Sequence, residues 1–315
     1  MKKLFLLPLI LFFFFSCRMQ SNSDKESANP KESKLYRLRL NPEAGSKYYF
    51  DISNESEIKL ELNDKKTDNL SRTNVGILYA INKDSAGDFL FNMSYGKIKL
   101  YSKKDDIESE MDAGNAASSL DPAEKMLGAL KTANIVATIG PDGEVRSVTG
   151  YKEIAAKLMA GLNSNDMYAK NLARDRVEKL IGEGVVKKNM TQLFKIFPDS
   201  GVHVGDQWKL ESKQNAELNL VAKNIFILKE VKNDLAMIES EADMFSDSTS
   251  SNMMGYDVTA NLKGRQRGTY TMNIKTGMLE NCELNGNVDG TLQMMGREIP
   301  VTIKTKVKIK GRKEN

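Results

Sequence analysis

The chain has one His and two Cys among 315 residues, and one Trp. A zinc site draws on several His or Cys side chains, so a single His203 and a single spare thiol argue against transition-metal chemistry. A His-based catalytic triad would have to be built on His203. That residue lies between Pro198 and Gly205, where a loop role is the simpler reading. Proline is scarce too, at seven residues, and there is no apolar run of the roughly 20 residues that a membrane-spanning helix needs. The small formal net charge of +4 does not suggest a nucleic-acid partner.

What is present begins at the amino terminus. Met1-Lys2-Lys3 is followed by Leu4 to Phe15, an uncharged stretch broken only by Pro8, then Ser16 and Cys17. A basic start with a short apolar core is the pattern of a secretory signal. A small residue directly before a Cys resembles the bacterial lipoprotein signal, although Phe14 and Phe15 stand where Leu and a small residue are usual. The resemblance implies cleavage before Cys17, a diacylglycerol on its sulfur and an acyl chain on its amine. Several acyl chains make a firm anchor, since each buried methylene contributes about 0.8 kcal/mol. Arg18, in place of an Asp that resembles an inner-membrane retention signal, points to the outer membrane. Removing residues 1–16 takes away Lys2 and Lys3, so the mature charge is +4 − 2 = +2.

If Cys17 carries lipid, Cys282 is left without an intramolecular partner. An exported chain of this kind must then be held by its core rather than by disulfides, and Cys282 reads as a small buried hydrophobe. Residues 17–34 are polar, with Met19 and Ala28 the only apolar residues after the Cys, and read as a lipidated flexible tether.

From Leu35 the pattern has period two. Tyr36, Leu38 and Leu40 alternate with polar residues; so do Tyr48, Phe50 and Ile52, then Ile58, Leu60 and Leu62. Val75 to Ile81, Phe89 to Tyr95, and Ile98 with Leu100 continue it. Alternation places one set of side chains on one sheet face. Asp121-Pro122-Ala123-Glu124 opens a helix to about Lys131, with Asp121 as cap and Glu124 reaching back to it. Ile135–Ile139 and Glu144–Val148 form a hairpin about Pro141-Asp142-Gly143. Three one-sided apolar stripes follow, Ile154 to Leu162, Ala169 to Ile181 and Val186 to Phe197, each predicting a helix that packs on something. Strands resume at Asp206 and end in Val301, Ile303, Val307 and Ile309, which alternate with Lys304, Lys306, Lys308 and Lys310. The lysine stripe reads as a solvated face or a guarded edge strand, with an anionic lipid head group as the functional alternative.

The predicted fold is therefore α+β: strands over 35–101, helices and a hairpin over 121–197, strands over 206–310, in one domain spanning 35–315. Two long strand sets offer more apolar face than a flat sheet hides. A large curved antiparallel sheet, half-barrel-like, with a central helical segment packed on one face follows.

Gly143-Glu144-Val145-Arg146-Ser147-Val148-Thr149-Gly150 running into a helix resembles a recurring piece of an uncharacterised family of Gram-negative bacterial lipoproteins. So do Phe197-Pro198 with Gly205-Asp206-Gln207-Trp208, and Gly268-Thr269-Tyr270 with Thr276-Gly277. That family has no assigned activity. The strand–helix–strand layout is also similar to the Lol-type lipoprotein carriers, which implies an apolar cavity under a curved sheet.

No catalytic constellation and no cofactor motif stands out among the many carboxylates. The expectation is a non-enzymatic, membrane-anchored lipoprotein that binds a hydrophobic ligand or partner in an apolar groove. An outer-membrane assembly factor without a small ligand, or a hydrolase with an unrecognised site, are the alternatives. Trp208 reads as a corner residue pinning a strand to the helices, with ligand stacking as its functional version. The polar stretch 246–252, with Phe245 on one side and Met253 and Met254 on the other, reads as a hairpin loop or as a lid at the groove's mouth.

Overall fold

The structure is a computed structural model that describes residues 17–18, 34–62, 65–119, 122–160, 183–215, 218–247, 249–253 and 256–315. Its fourteen strands form one antiparallel sheet, open and curved. They are β1 (Cys17–Arg18), β2 (Lys47–Leu62), β3 (Lys65–Lys83), β4 (Phe89–Lys104), β5 (Ile107–Asp112), β6 (Ile135–Ile139) and β7 (Val145–Thr149). After the helical region come β8 (Gln207–Asn215), β9 (Leu220–Lys232), β10 (Leu235–Ser246), β11 (Ser250–Met253), β12 (Tyr256–Asn273), β13 (Leu279–Met294) and β14 (Arg297–Glu314). Three short helices are described: α1 (Pro122–Leu130), α2 (Tyr151–Ala160) and α3 (Glu183–Phe194). Strand thus dominates more heavily than the α+β expectation allowed. The stripe from Ala169 to Ile181 lies outside the described residues.

The order across the sheet is β1-β8-β9-β10-β12-β13-β14-β2-β3-β4-β6-β7, with β5 on β4 and β11 on β12. Two expected short strands are fused. Tyr48–Ile52 and Ile58–Leu62 are one strand. At ~3.3 Å per residue, the 19 residues of β3 span roughly 60 Å.

Two expectations are corrected. Leu35–Leu40 is not a sheet strand. It makes one bridge, Tyr36 with Val202, and then drops Leu38 and Leu40 into the core, with the Leu40 amide on the Pro141 carbonyl at 2.9 Å. Its backbone pairs with loops, so its alternation serves burial alone. The lysine stripe of β14 is not on an edge: β14 runs between β13 and β2 near the middle of the sheet. Lys304, Lys306, Lys308 and Lys310 are exposed on its solvent face, and Lys308 pairs with Glu283 at 3.0 Å.

Helix α1 forms where predicted, but Glu124 accepts a hydrogen bond from the Asp112 amide at 3.0 Å, which ties the helix to β5; Asp121 lies outside the described residues. The β6–β7 hairpin turns as expected, Gly143 N–H donating to Gly140 O at 2.8 Å. Gly143 has φ +78, and a Cβ there would lie 2.0 Å from the Phe194 carbonyl oxygen. Only glycine permits this approach of the hairpin to the end of α3.

One face of the sheet carries two separate apolar clusters. The larger joins Phe50, Tyr79, Phe91, Ile238, Met272 and Ile309 with side chains of all three helices. The smaller gathers Leu220, Met244, Leu262, Val288, Val301 and Ile303 toward the other end of the same strands. Between them runs a line of residues in register, Asn224, Ala242, Gln266, Gly286, Thr305 and Ser56, each opposite the next. Asn54, Thr73, Ser212 and Ser240 flank it, and all the polar members are buried. These polar residues occupy the inward phase of the alternation, so they form a belt across the interior.

Candidate functional site

Helix α3 is held against the sheet at its carboxyl end. Phe194 enters an aromatic nest, with ring centroids 4.9 Å from Phe91, 6.0 Å from Tyr79 and 6.3 Å from Phe50. Earlier on the helix the inward residues are smaller or more flexible: Val186, Asn189, Met190 and Leu193. These side chains line a space between the helix and the strands.

The result is a cavity of about 140 Å³. Its floor is β2–β4, through Ile52, Val75, Ile77 and Met93. One wall is β12–β14, through Tyr270, Cys282, Leu284 and Val307. Its roof is α1 and α3, through Leu127, Leu130, Met190 and Leu193. Asn54, Thr73 and Gln266 of the polar belt bound it on the side of the smaller cluster. A cavity of comparable volume, about 150 Å³ and lined by Leu, Ile and Phe, is large enough for benzene.

Four polar atoms of lining residues are buried and have no hydrogen-bond partner among the described residues: Asn54 Oδ1, Tyr79 Oη, Asn189 Oδ1 and Gln192 Nε2. Leaving such a group unpaired costs about 1–3 kcal/mol, so four around one cavity is more than packing alone asks for. Burial pushes the hydroxyl of Tyr79 far above its ordinary value, and that of Tyr95, which also lines the cavity, up to about 12. The Cys282 thiol is likewise pushed up by burial. All three are neutral at physiological pH.

The residues singled out in the sequence lie elsewhere. Trp208 is buried beside Phe226, and its Nε1–H donates to the Ile196 carbonyl at 3.0 Å. It joins β8 to the segment leaving α3 and does not line the cavity. Phe245 sits half-buried on the opposite face of β10, under the Lys223 ammonium at 5.0 Å. The side chain of Met253, and Met254 entirely, lie outside the described residues. Strand β11 pairs with β12 from Ser250–Thr259 onward. The nearest lining residue on β12 is Gln266, roughly 23 Å along the strand from Thr259 at ~3.3 Å per residue. Strand β11 therefore lies toward the smaller-cluster end and does not line the cavity. His203 lies in a turn that Asp206 closes, its Oδ2 accepting from the His203 amide at 2.8 Å. Among the described residues no three His, Cys, Asp or Glu side chains come together as metal ligands would. Cys17 falls in β1, opposite Ser212.

Sequence reasoning missed Asn54, Thr73, Asn189, Gln192 and Gln266. The signal was there for the strand residues, since each is a polar side chain in the apolar phase of a long alternating run.

Fold and site define a long-stranded antiparallel sheet protein with an apolar, partly polar-rimmed internal cavity. The chain belongs to DUF6263, a family of unknown function whose model matches residues 86–279. All three sequence pieces that carried the family resemblance fall within that span. No curated protein matches. Among solved structures, one titled "Lipid-protein interactions in lipovitellin" is similar, with a TM-score of 0.51 at 9% identity. The match covers 86% of this chain and 25% of that one, so this chain spans about a quarter of lipovitellin's length. An outer membrane channel of Pseudomonas putida F1 (TM-score 0.21, 8% identity, 91% of this chain and 100% of that one) carries no argument at that score. The same holds for OccK5 (OpdH) of Pseudomonas aeruginosa (TM-score 0.20, 7% identity, 86% and 99%).

Proposed function

We propose that this protein is a non-enzymatic lipoprotein, anchored through Cys17 to the outer membrane, that holds a hydrophobic ligand in the cavity beneath α3. The cavity carries the reading: an apolar space of about 140 Å³ inside the core, with polar atoms at its border that have no partner among the described residues. In this reading the helical segment lies over the inner face of a half-barrel-like sheet. The long antiparallel sheet shared with lipovitellin, whose title names lipid–protein interactions, is in keeping with it, though at 9% identity it speaks for the fold alone.

Among the described residues, the lining offers only tyrosine and cysteine as ionisable groups. A general base needs a pKa near the operating pH, and burial drives Tyr79, Tyr95 and Cys282 upward, which is in keeping with a binding role.

Two measurements test the proposal. Organic extraction of the protein purified from its own membranes, followed by mass spectrometry, should yield a ligand in near-stoichiometric amount. A protein that yields none and does not take up a hydrophobic dye has no such function. Cys17→Ala should move the protein from the membrane to the soluble fraction and abolish fatty-acid labelling; unchanged labelling removes the anchor.

A further inference from the structure

The charge of the ligand can be read from the cavity. This inference rests on the ligand-binding reading above and narrows it. None of the described residues lining the cavity is Lys, Arg, His, Asp or Glu. A carboxylate or phosphate placed there would meet no cation, and an ammonium would meet no anion. An unpaired charge in such surroundings is strongly disfavoured. Tyr79, Tyr95 and Cys282 cannot compensate, because burial holds them in their neutral forms.

The cavity nevertheless asks for hydrogen bonds. Tyr79 Oη and Gln192 Nε2 can donate, and Asn54 Oδ1 and Asn189 Oδ1 can accept, with no partner among the described residues. Tyr79 is wholly buried and Asn54 is 7% exposed, so bulk water does not serve either. An alcohol or a primary amide can both donate and accept, and so can serve any of these atoms without charge.

We propose that the cavity takes an uncharged single-chain amphiphile, its hydroxyl or amide head hydrogen-bonded to Tyr79 Oη or Gln192 Nε2 and its apolar segment against Val75, Met190, Leu193 and Val307. The volume suits a short segment of about the size of benzene.

The test compares three probes of equal chain length, 1-octanol, octanoate and octylammonium, binding to the full chain carrying Cys17→Ala, so that no acyl anchor competes. Binding is followed by titration calorimetry at pH 8. Octanol should bind at least tenfold more tightly than either ion. Tyr79→Phe should reduce octanol affinity several-fold while leaving that of octane-like dyes unchanged, a split that general loss of structure would not give. Octanoate or octylammonium binding as tightly as octanol overturns the neutral-ligand inference but leaves a binding cavity standing. No binding of any probe or dye overturns the ligand-binding reading itself, and the inference with it. Should Tyr79→Phe fail to fold, Gln192→Leu, on the half-buried helix face, provides the same comparison.

Discussion

Trp208 lies flat on Phe226, with ring centroids 5.6 Å apart and planes 14° from parallel, while its indole N–H is bound to the Ile196 carbonyl at 3.0 Å. One side chain thus joins β8 to β9 and both to the backbone leaving α3. Trp208→Ala should cost about 3–5 kcal/mol, the range for large aromatics removed from a core. Trp208→Phe, which can keep the stacking but not the hydrogen bond, should cost less, the hydrogen-bond part being about 1 kcal/mol. Urea unfolding of the two variants measures this. A Trp208→Ala protein of unaltered midpoint would mean that the ring serves something other than stability.

Tyr79→Phe should be neutral or stabilising, by up to about 1–3 kcal/mol, because it removes a buried hydroxyl that has no partner among the described residues. The ring stays, and with it the edge contacts to Phe50 and Phe91 at 5.5 and 5.7 Å. A thermal melt decides. A loss of more than about 1 kcal/mol would reveal a partner for the hydroxyl, such as a tightly held water.

Stability should fall on the alkaline side. Burial raises the folded-state values of Cys282, Tyr79 and Tyr95, so the unfolded chain loses these protons first. The stabilisation is therefore complete below the unfolded values, about 8.5 for Cys and 10 for Tyr, and is lost as pH rises above them. The slope should be about 1.4 kcal/mol per pH unit from roughly pH 9, steepening to about 4 above pH 10 as both tyrosines join. Urea midpoints from pH 7 to 11 give the curve, and the pair Cys282→Ala and Tyr79→Phe should flatten it. A flat profile in the parent protein would contradict the burial of all three.

Gly143→Ala should destabilise by at least about 1–2 kcal/mol, from the left-handed backbone alone, and further because the new methyl would meet the Phe194 carbonyl. Gly184→Ala on α3, where a Cβ meets nothing within 4 Å, should be harmless or gain up to about 1 kcal/mol. Equal effects in the two variants would deny the close approach of hairpin and helix.

Much of the sheet was legible because alternation is strict where one face is buried. Phe89, Phe91 and Met93 of β4, or Val301 to Ile309 of β14, could be placed by period alone. Strand length was not legible, since Asn54 and Ser56 interrupt the apolar phase of β2 and make one strand look like two. The same interruption is what the belt is made of, so the feature that blurred the strands also marks the site's border. Leu38 and Leu40 alternate without forming a strand, because period reports burial and not pairing. The edge reading of β14 failed for a related reason: a row of lysines marks a wet face, which a central strand has as readily as an outer one. The cavity itself could not be foreseen, because it depends on how α1 and α3 lie over the strands, which period alone does not report. The polar stretch between Phe245 and Met253 drew attention by composition, yet β11 pairs with the start of β12, away from the residues that line the cavity.

The central claim is that a ligand enters the space beneath α3. Methyl-resolved NMR of the Cys17→Ala chain during titration with 1-octanol tests it most directly. The account predicts saturable shifts of the Met190, Leu193, Val75 and Val307 methyls, with Ile107, Met237 and Met295, exposed on the surface, unmoved. Shifts confined to those three exposed residues, with the cavity methyls unchanged at saturation, would contradict it.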